Sequence, residues 1–272
     1  MMRVWVNGVE NIGVAPLDRG LAYGDGVFAT MQVANKTLLF LGAHLQRLQQ
    51  GAIRLGFDWQ VSSELLNLLQ RQATSMERGC IKLLLTRGVG GRGYAVPSEP
   101  QVTEIVSLHA IPVHYKTWQQ QGISLITSEV TLARQPRLAG IKHCNRLEQI
   151  LIKSTPPPES FDDHLVLDTH NLVVESSMAN IFLVKGKQIM TPVMSHCGVA
   201  GVMREQVIHG VLALGFTVIT KAVPVSTLSD YESAFVTNSL LGIVDVTRIN
   251  EVDFFKAQWT SSLRSSLDLT LY

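Results

Sequence analysis

The period of the apolar positions changes several times along the chain, and each change marks an element. At the start, Val4-Trp5-Val6 followed by Asn7-Gly8, within residues 1–8, reads as a short strand closed by a turn signal. Two apolar stretches, residues 26–33 and 37–41, flank Ala34-Asn35-Lys36, which predicts a hairpin. Over residues 44–57, Leu45, Leu48, Ala52, Ile53 and Leu55 recur at helical spacing with Arg47, Gln49 and Gln50 between them. That helix presents Arg47 early. Residues 80–86 and 102–110 are apolar runs of strand length, joined by Arg87-Gly88-Val89-Gly90-Gly91-Arg92-Gly93-Tyr94, whose glycines predict a mobile loop. The first hundred or so residues therefore read as strands mixed with two helices.

Pro112, Lys116 and three glutamines interrupt the pattern between residues 111 and 122, and the domain boundary is expected there. This divides the chain into a smaller α/β domain over 1–113, a linker over 114–122 and a larger strand-rich domain over 123–272. In the second part, residues 145–153 look helical before Pro156-Pro157-Pro158, and residues 164–167, 172–174, 180–184 and 188–190 read as short strands. Gly201 begins a helix running to about Leu214, strands follow at 233–237 and 241–247, and a last helix lies near 254–267. No internal repeat or low-complexity tract is present.

Composition narrows the function classes. The chain has 272 residues, 46% hydrophobic and 17% charged, with a formal charge of +1. That balance predicts packed cores rather than disorder, and interspersed charges give neither a nucleic-acid tract nor a membrane-surface helix. A small-molecule substrate is the expected partner. The start lacks a secretory apolar stretch and no apolar run reaches spanning length, so a cytoplasmic protein is expected. Cys80, Cys144 and Cys197 are odd in number and widely spaced, fitting neither a disulfide framework nor a zinc site. Eight histidines show no pair spaced for metal on one helix, and no Gly-x-Ser-x-Gly elbow occurs.

A pyridoxal phosphate site needs a lysine for its aldehyde, an acid for its ring nitrogen, donors for its phosphate and cations for the substrate's carboxylates, and each requirement has a candidate here. Lys142 sits between a glycine and a predicted helix, in Gly140-Ile141-Lys142-His143-Cys144-Asn145-Arg146. Alone it would be read as a solvated lysine. Glu175 follows the apolar Leu172-Val173-Val174, so a carboxylate is carried off a strand end into the interior, where it needs a partner. Gly201-Val202-Met203-Arg204 opens a helix straight after Gly198-Val199-Ala200, and free N–H groups at such an end suit a phosphate. Arg47 and Thr237-Asn238-Ser239 supply further donors. The Arg87 to Tyr94 loop is followed by no helix and ends in no Lys-Ser/Thr, which excludes dinucleotide and Walker readings. Its two arginines suit carboxylates instead.

These residues together resemble the class IV, branched-chain-aminotransferase-like family of pyridoxal phosphate enzymes. The family pattern is met by Glu175, Asn180-Ile181-Phe182, Thr191 and Val199-Ala200-Gly201-Val202-Met203-Arg204. Asp18-Arg19-Gly20, Tyr23-Gly24-Asp25-Gly26-Val27-Phe28 and His44-Leu45-Gln46-Arg47-Leu48 extend the likeness over nearly the whole chain. The resemblance implies an α+β (mixed) two-domain fold of the D-amino-acid/branched-chain aminotransferase type, fold type IV. It also implies a homodimer with the cofactor at the domain interface. Lys142 would bind the aldehyde and act as acid/base, and Glu175 would pair with the ring nitrogen. Arg47, Gly201, the Val202 and Met203 amides and Asn238 would hold the phosphate. Arg87 or Arg92, with Tyr94, would meet a substrate carboxylate. Ala29 stands where the family's aminotransferases carry a glutamate, and Thr30 matches a threonine of its lyases. Met203 replaces an aminotransferase threonine. These departures favour the lyase branch, which splits an amino-substituted chorismate into 4-aminobenzoate and pyruvate for folate synthesis, with Thr30 assisting protonation. Aminotransfer on branched-chain or D-amino acids is the alternative.

Overall fold

The computed structural model describes residues 3–272; Met1 and Met2 of the expected first strand lie outside the described residues. Two compact units emerge, one running to Ile111 and regaining Ile141–Asn145, the other formed by Pro112–Gly140 and Arg146–Tyr272.

In the first unit, β1 (Val4–Val6), β2 (Val9–Glu10), α1 (Arg19–Tyr23), β3 (Gly26–Ala34), β4 (Thr37–Leu38), α2 (Leu41–Leu55), α3 (Ser63–Thr74), β5 (Arg78–Thr86) and β6 (Thr103–His109) follow in order. The strands form an antiparallel sheet in the order β2-β1-β6-β5-β3-β4. The predicted hairpin turns at Asn35 and Lys36, both at positive φ (50° and 61°), the twist that a two-residue connection demands. Period-two alternation sends Val27, Ala29, Met31 and Val33 of β3 and Ile81, Leu83 and Leu85 of β5 to one face. There α2 and α3 cover them with Leu48, Ala52, Leu65, Leu68, Leu69 and Ala73. α3 starts at Ser62, whose hydroxyl accepts from the Leu65 N–H. The opposite sheet face carries Phe28, Thr30 and Gln32, with Lys82 paired beside Thr30.

The second unit begins where a linker was expected. Residues 114–121 instead form α4 (His114–Gln121), whose buried Gln119 donates its amide to the carbonyls of Leu241 and Leu269. Gln119 helped to hide it, because its side chain bonds inward to backbone that the sequence cannot bring into view. There follow β7 (Ile123–Thr127), α5 (Leu147–Ser154), β8 (Asp163–Leu167), β9 (Val173–Ser176), β10 (Asn180–Lys185), β11 (Gln188–Pro192), α6 (Val202–Ala213), β12 (Thr217–Lys221), a 3-10 turn (Val225–Asp230), β13 (Ser233–Asn238), β14 (Gly242–Ile249), β15 (Val252–Asp253) and α7 (Thr260–Ser266). β7 and β12 have no counterpart in the sequence reading, and the last helix is shorter than expected. Strands β10-β13-β14-β7-β8-β9 are hydrogen-bonded neighbours, and β9 pairs back to β10 at Glu175 and Asn180, closing a barrel. β11 and β12 continue from the other half of the same β10 edge. Phe182 and Phe235 stack with ring centroids 4.8 Å apart, and Trp259, just before α7, meets the Phe235 ring edge to face. No helix among the described residues is long and apolar enough to cross a membrane.

Candidate active site

Within the first unit, the segment bearing Lys142 is held as an extra strand on the open half of the β3 edge. Phe28 N–H donates to the Lys142 carbonyl (3.0 Å), and Cys144 N–H donates to that of Gly26 (2.9 Å). Ile141 is buried in the core between sheet and helices, where Gly51 of α2 leaves it room. The half-buried Lys142 side chain brings Nζ to 4.7 Å from the Phe28 ring centroid. Lys82 Nζ stands 4.8 Å from the same ring. Sequence reasoning missed Lys82; the signal was there in Ile81, Leu83 and Leu85, whose inward alternation puts the lysine on the other face.

Arg47 lies one turn after His44 on α2. His44 is 1% exposed and its Nδ1 has no hydrogen-bond partner. Burial pushes the imidazole pKa down to about 3, with Arg47 and Lys142 adding to the shift, so His44 is neutral beside two cations. Thr30 shares the Phe28 face. Ala29 points the other way, fully buried among the helix-facing residues, so of these two only Thr30 belongs to the face of Phe28.

The loop arginines part company. Arg87 is buried, and its guanidinium grips both oxygens of Asp25 (2.7 and 3.1 Å) and the carbonyls of Leu55 and Gly56 at the end of α2. Burial pushes the Asp25 carboxyl up, but its bonds to Arg87 and Arg19 outweigh this and hold it below its ordinary range. These bonds tie Arg87, expected at a substrate carboxylate, to Asp25 and to the end of α2. Arg92 and Tyr94 are exposed.

In the second unit the family pattern is one hydrogen-bonded truss. Glu175 lies within β9, rather than beyond a strand end, and opposite Asn180 at the barrel seam. Its carboxylate is buried and accepts from Val199 N–H at 3.1 Å. Asn180 donates through Nδ2 to the Val199 carbonyl (2.8 Å) and accepts through Oδ1 from Gly201 N–H (3.2 Å). Thr191 donates to the Ile181 carbonyl and accepts from Arg204 Nε, and Arg204 also donates to the Pro192 carbonyl. Gly140 pairs with the same Val199 segment, donating to Gly198 and accepting from Ala200.

The truss fixes the start of α6. Gly201 is its N-cap, in extended conformation, with no side-chain cap. The amides of Val202 and Met203 are thus left for an anion. A Cβ at Gly201 would lie 2.3 Å from Asn180 Oδ1 and one at Gly198 (φ 80°) 2.6 Å from Val174, so both positions admit only glycine. The Met203 side chain is buried, and only its N–H can serve. Asn238 folds onto its own turn, accepting from Leu240 and Leu241 N–H and donating to the Met178 carbonyl, which leaves one amide hydrogen for any ligand. A buried carboxylate suits a protonated pyridine nitrogen, and an uncapped helix start with a glycine suits a phosphate; the donor set fits pyridoxal phosphate. Among the described residues no group of His, Cys, Asp and Glu could hold a metal ion.

In the second unit, a closed barrel with a carboxylate at its seam leads to a bare helix start; in the first, a sheet carries an edge lysine. The chain belongs to amino-transferase class IV, whose family model matches residues 26–249. It is 34% identical to the aminodeoxychorismate lyase of Vibrio harveyi over 97% of this chain and 99% of the relative. The crystal structure of 4-amino-4-deoxychorismate lyase from Pseudomonas aeruginosa superposes with a TM-score of 0.91 at 35% identity, covering 98% of this chain and all of the other. D-alanine aminotransferase of Bacillus licheniformis is 30% identical over 86% of this chain and 82% of its own length. The mixed α/β fold implied by the family resemblance is the fold found.

Proposed function

We propose that this chain is a pyridoxal phosphate-dependent lyase that converts 4-amino-4-deoxychorismate into 4-aminobenzoate and pyruvate. The observation that carries the reading is its near-full-length likeness to a lyase of that activity, together with Thr30 on the Phe28 face. We propose further that both sets of residues serve one cofactor. Lys142 holds its aldehyde, Glu175 its ring nitrogen, and Arg47 with the Val202 and Met203 amides its phosphate. When bound, pyridoxal phosphate supplies an electron sink for the charge left as a substrate C–H bond breaks. With the cofactor held in this way, the Lys142 amine would serve as the base that takes the C4 proton of the substrate ring. Thr30 delivers a proton to the leaving enolpyruvyl group, and aromatisation drives its departure as pyruvate. Arg92 or Lys82 meets a substrate carboxylate, Lys82 because its ammonium shares the Phe28 ring with that of Lys142. A cytoplasmic homodimer is the assembly that the family resemblance supports, and sedimentation velocity tests it.

Product analysis decides the reaction. Incubation with 4-amino-4-deoxychorismate should release 4-aminobenzoate and pyruvate in equal amounts. Nitrogen exchange between an amino acid and a keto acid, without pyruvate release, would establish the aminotransferase reading that the D-alanine aminotransferase likeness favours. Lys142→Ala should abolish turnover and the borohydride-sensitive absorbance together; retained activity places the chemistry elsewhere.

A further inference from the structure

Asp18-Arg19-Gly20 contains a buried guanidinium that no step above uses. Arg19 is 3% exposed at the first position of α1. Its Nε donates to Asp25 (2.8 Å), Nη1 to the carbonyls of Gly93 (3.2 Å) and Ala95 (3.1 Å), and Nη2 to that of Tyr94 (3.3 Å). One planar group thus clips three consecutive carbonyls of the glycine-rich loop. The guanidinium also lies 5.0 Å from the Tyr23 ring centroid. The Tyr23 hydroxyl accepts from Gly93 N–H, and the rings of Tyr23 and Tyr94 meet edge to face at 5.6 Å. At the loop's near end, Arg19 N–H donates to the Gly88 carbonyl and Gly90 N–H to that of Leu17. The loop expected to be mobile is therefore fastened along most of its length.

A buried cation with one carboxylate and three neutral carbonyls is a costly way to order a surface segment. The Arg92 and Tyr94 side chains that this segment carries are exposed and add nothing to the core; Tyr94 is 86% exposed. What the clip secures is the direction in which these two side chains leave the backbone. Fixing recognition groups before the ligand arrives removes the ordering cost from binding, and a small misplacement of such groups loses rate or affinity steeply. We infer that Arg19 is a positioning residue for substrate recognition: it holds residues 93–95 on one guanidinium so that Arg92 and Tyr94 are presented preformed. The inference rests on the reading of this loop as substrate-binding. Arg19 itself touches backbone, Asp25 and Tyr23, not substrate. Lysine is no equivalent, because a point charge cannot span three carbonyls and a carboxylate at once.

The test compares the wild-type holoenzyme with Arg19→Met, Arg19→Lys and Gly90→Ala. Gly90 supplies an independent variant, since a Cβ there would come 2.8 Å from Arg19 Cδ and dislodge the clip without removing it. In Arg19→Met and Gly90→Ala, KM for the substrate should rise about ten-fold or more while kcat stays within about two-fold. Deuterium uptake over residues 89–96 should quicken, with the borohydride-sensitive band and the melting temperature near wild type. Arg19→Lys should restore little of the KM. Wild-type KM or wild-type exchange in both variants overturns the inference; should Arg19→Met fail to fold, Gly90→Ala alone decides. If the wild type releases no 4-aminobenzoate, the lyase reading falls. KM is then compared with the amino donor that the enzyme does turn over, so the role of Arg19 is still decided separately.

Discussion

His44 is a histidine whose burial decides its charge. Its folded pKa of about 3 lies below the ordinary value of 6.5, so between those limits the unfolded chain binds one more proton than the folded one. The contribution to stability is complete above about pH 6.5 and is lost as pH falls toward 3, with a slope approaching ~1.4 kcal/mol per pH unit. Urea denaturation from pH 4 to 7 should show this acid limb in the wild type and a shallower one in His44→Gln. An unchanged slope would mean that the imidazole titrates normally. Arg87 makes the converse point. From the sequence it is a cation on a glycine-rich loop, open to a substrate; in the fold it is locked to Asp25 and the end of α2, and only Arg92 stays exposed. Ala29 and Thr30, adjacent in sequence, separate because a strand alternates faces, so that one enters the core and the other joins Phe28.

Among the elements, the barrel seam matters most. Strands β9 and β10 meet at a single pair, Glu175 and Asn180, and the same two side chains bind the segment that leads into α6. The family pattern runs from Glu175 to Arg204 because its members brace one another across that seam. Asn180→Ala removes both bonds to the Val199–Gly201 segment, leaving a half-buried carbonyl and a half-buried N–H without this partner. It should destabilise the fold by about 1–3 kcal/mol and weaken pyridoxal phosphate binding, read by equilibrium titration of the apoenzyme. Gly201→Ala should weaken the cofactor more than it weakens the fold, since its Cβ meets Asn180 Oδ1 at the start of α6, where the phosphate is proposed to bind, while the helix beyond is untouched. Equal losses of cofactor affinity and melting temperature would contradict this.

For the molecule as a whole, each unit has its own core, in the first between sheet and helices and in the second including the stacked Phe182 and Phe235. Phe182→Ala removes a ring fully buried against Phe235 and should cost about 3–5 kcal/mol, measurable as a shift of the denaturant midpoint. A cost below ~1 kcal/mol would show that the barrel core is loosely packed. The hairpin at Asn35-Lys36, α2 and most strands of the barrel were legible from the chain, because turn residues and apolar period are local properties. So was the family, because the pattern from Glu175 to Arg204 is carried by residues close together along the chain. Illegible were α4, whose Gln119 bonds to distant backbone, the ties of Arg87 to Asp25 and α2, the approach of Lys82 to Phe28, and the clip at Arg19. All depend on partners far away along the chain. The return of Ile141–Asn145 to the first unit is of the same kind. The sequence by itself determined most of the elements and the family, since periodicity and side-chain chemistry travel with the chain. Only the tertiary structure decided which charges are neutralised by burial and pairing and which stay available, since that is set by the distances between groups that the fold brings together.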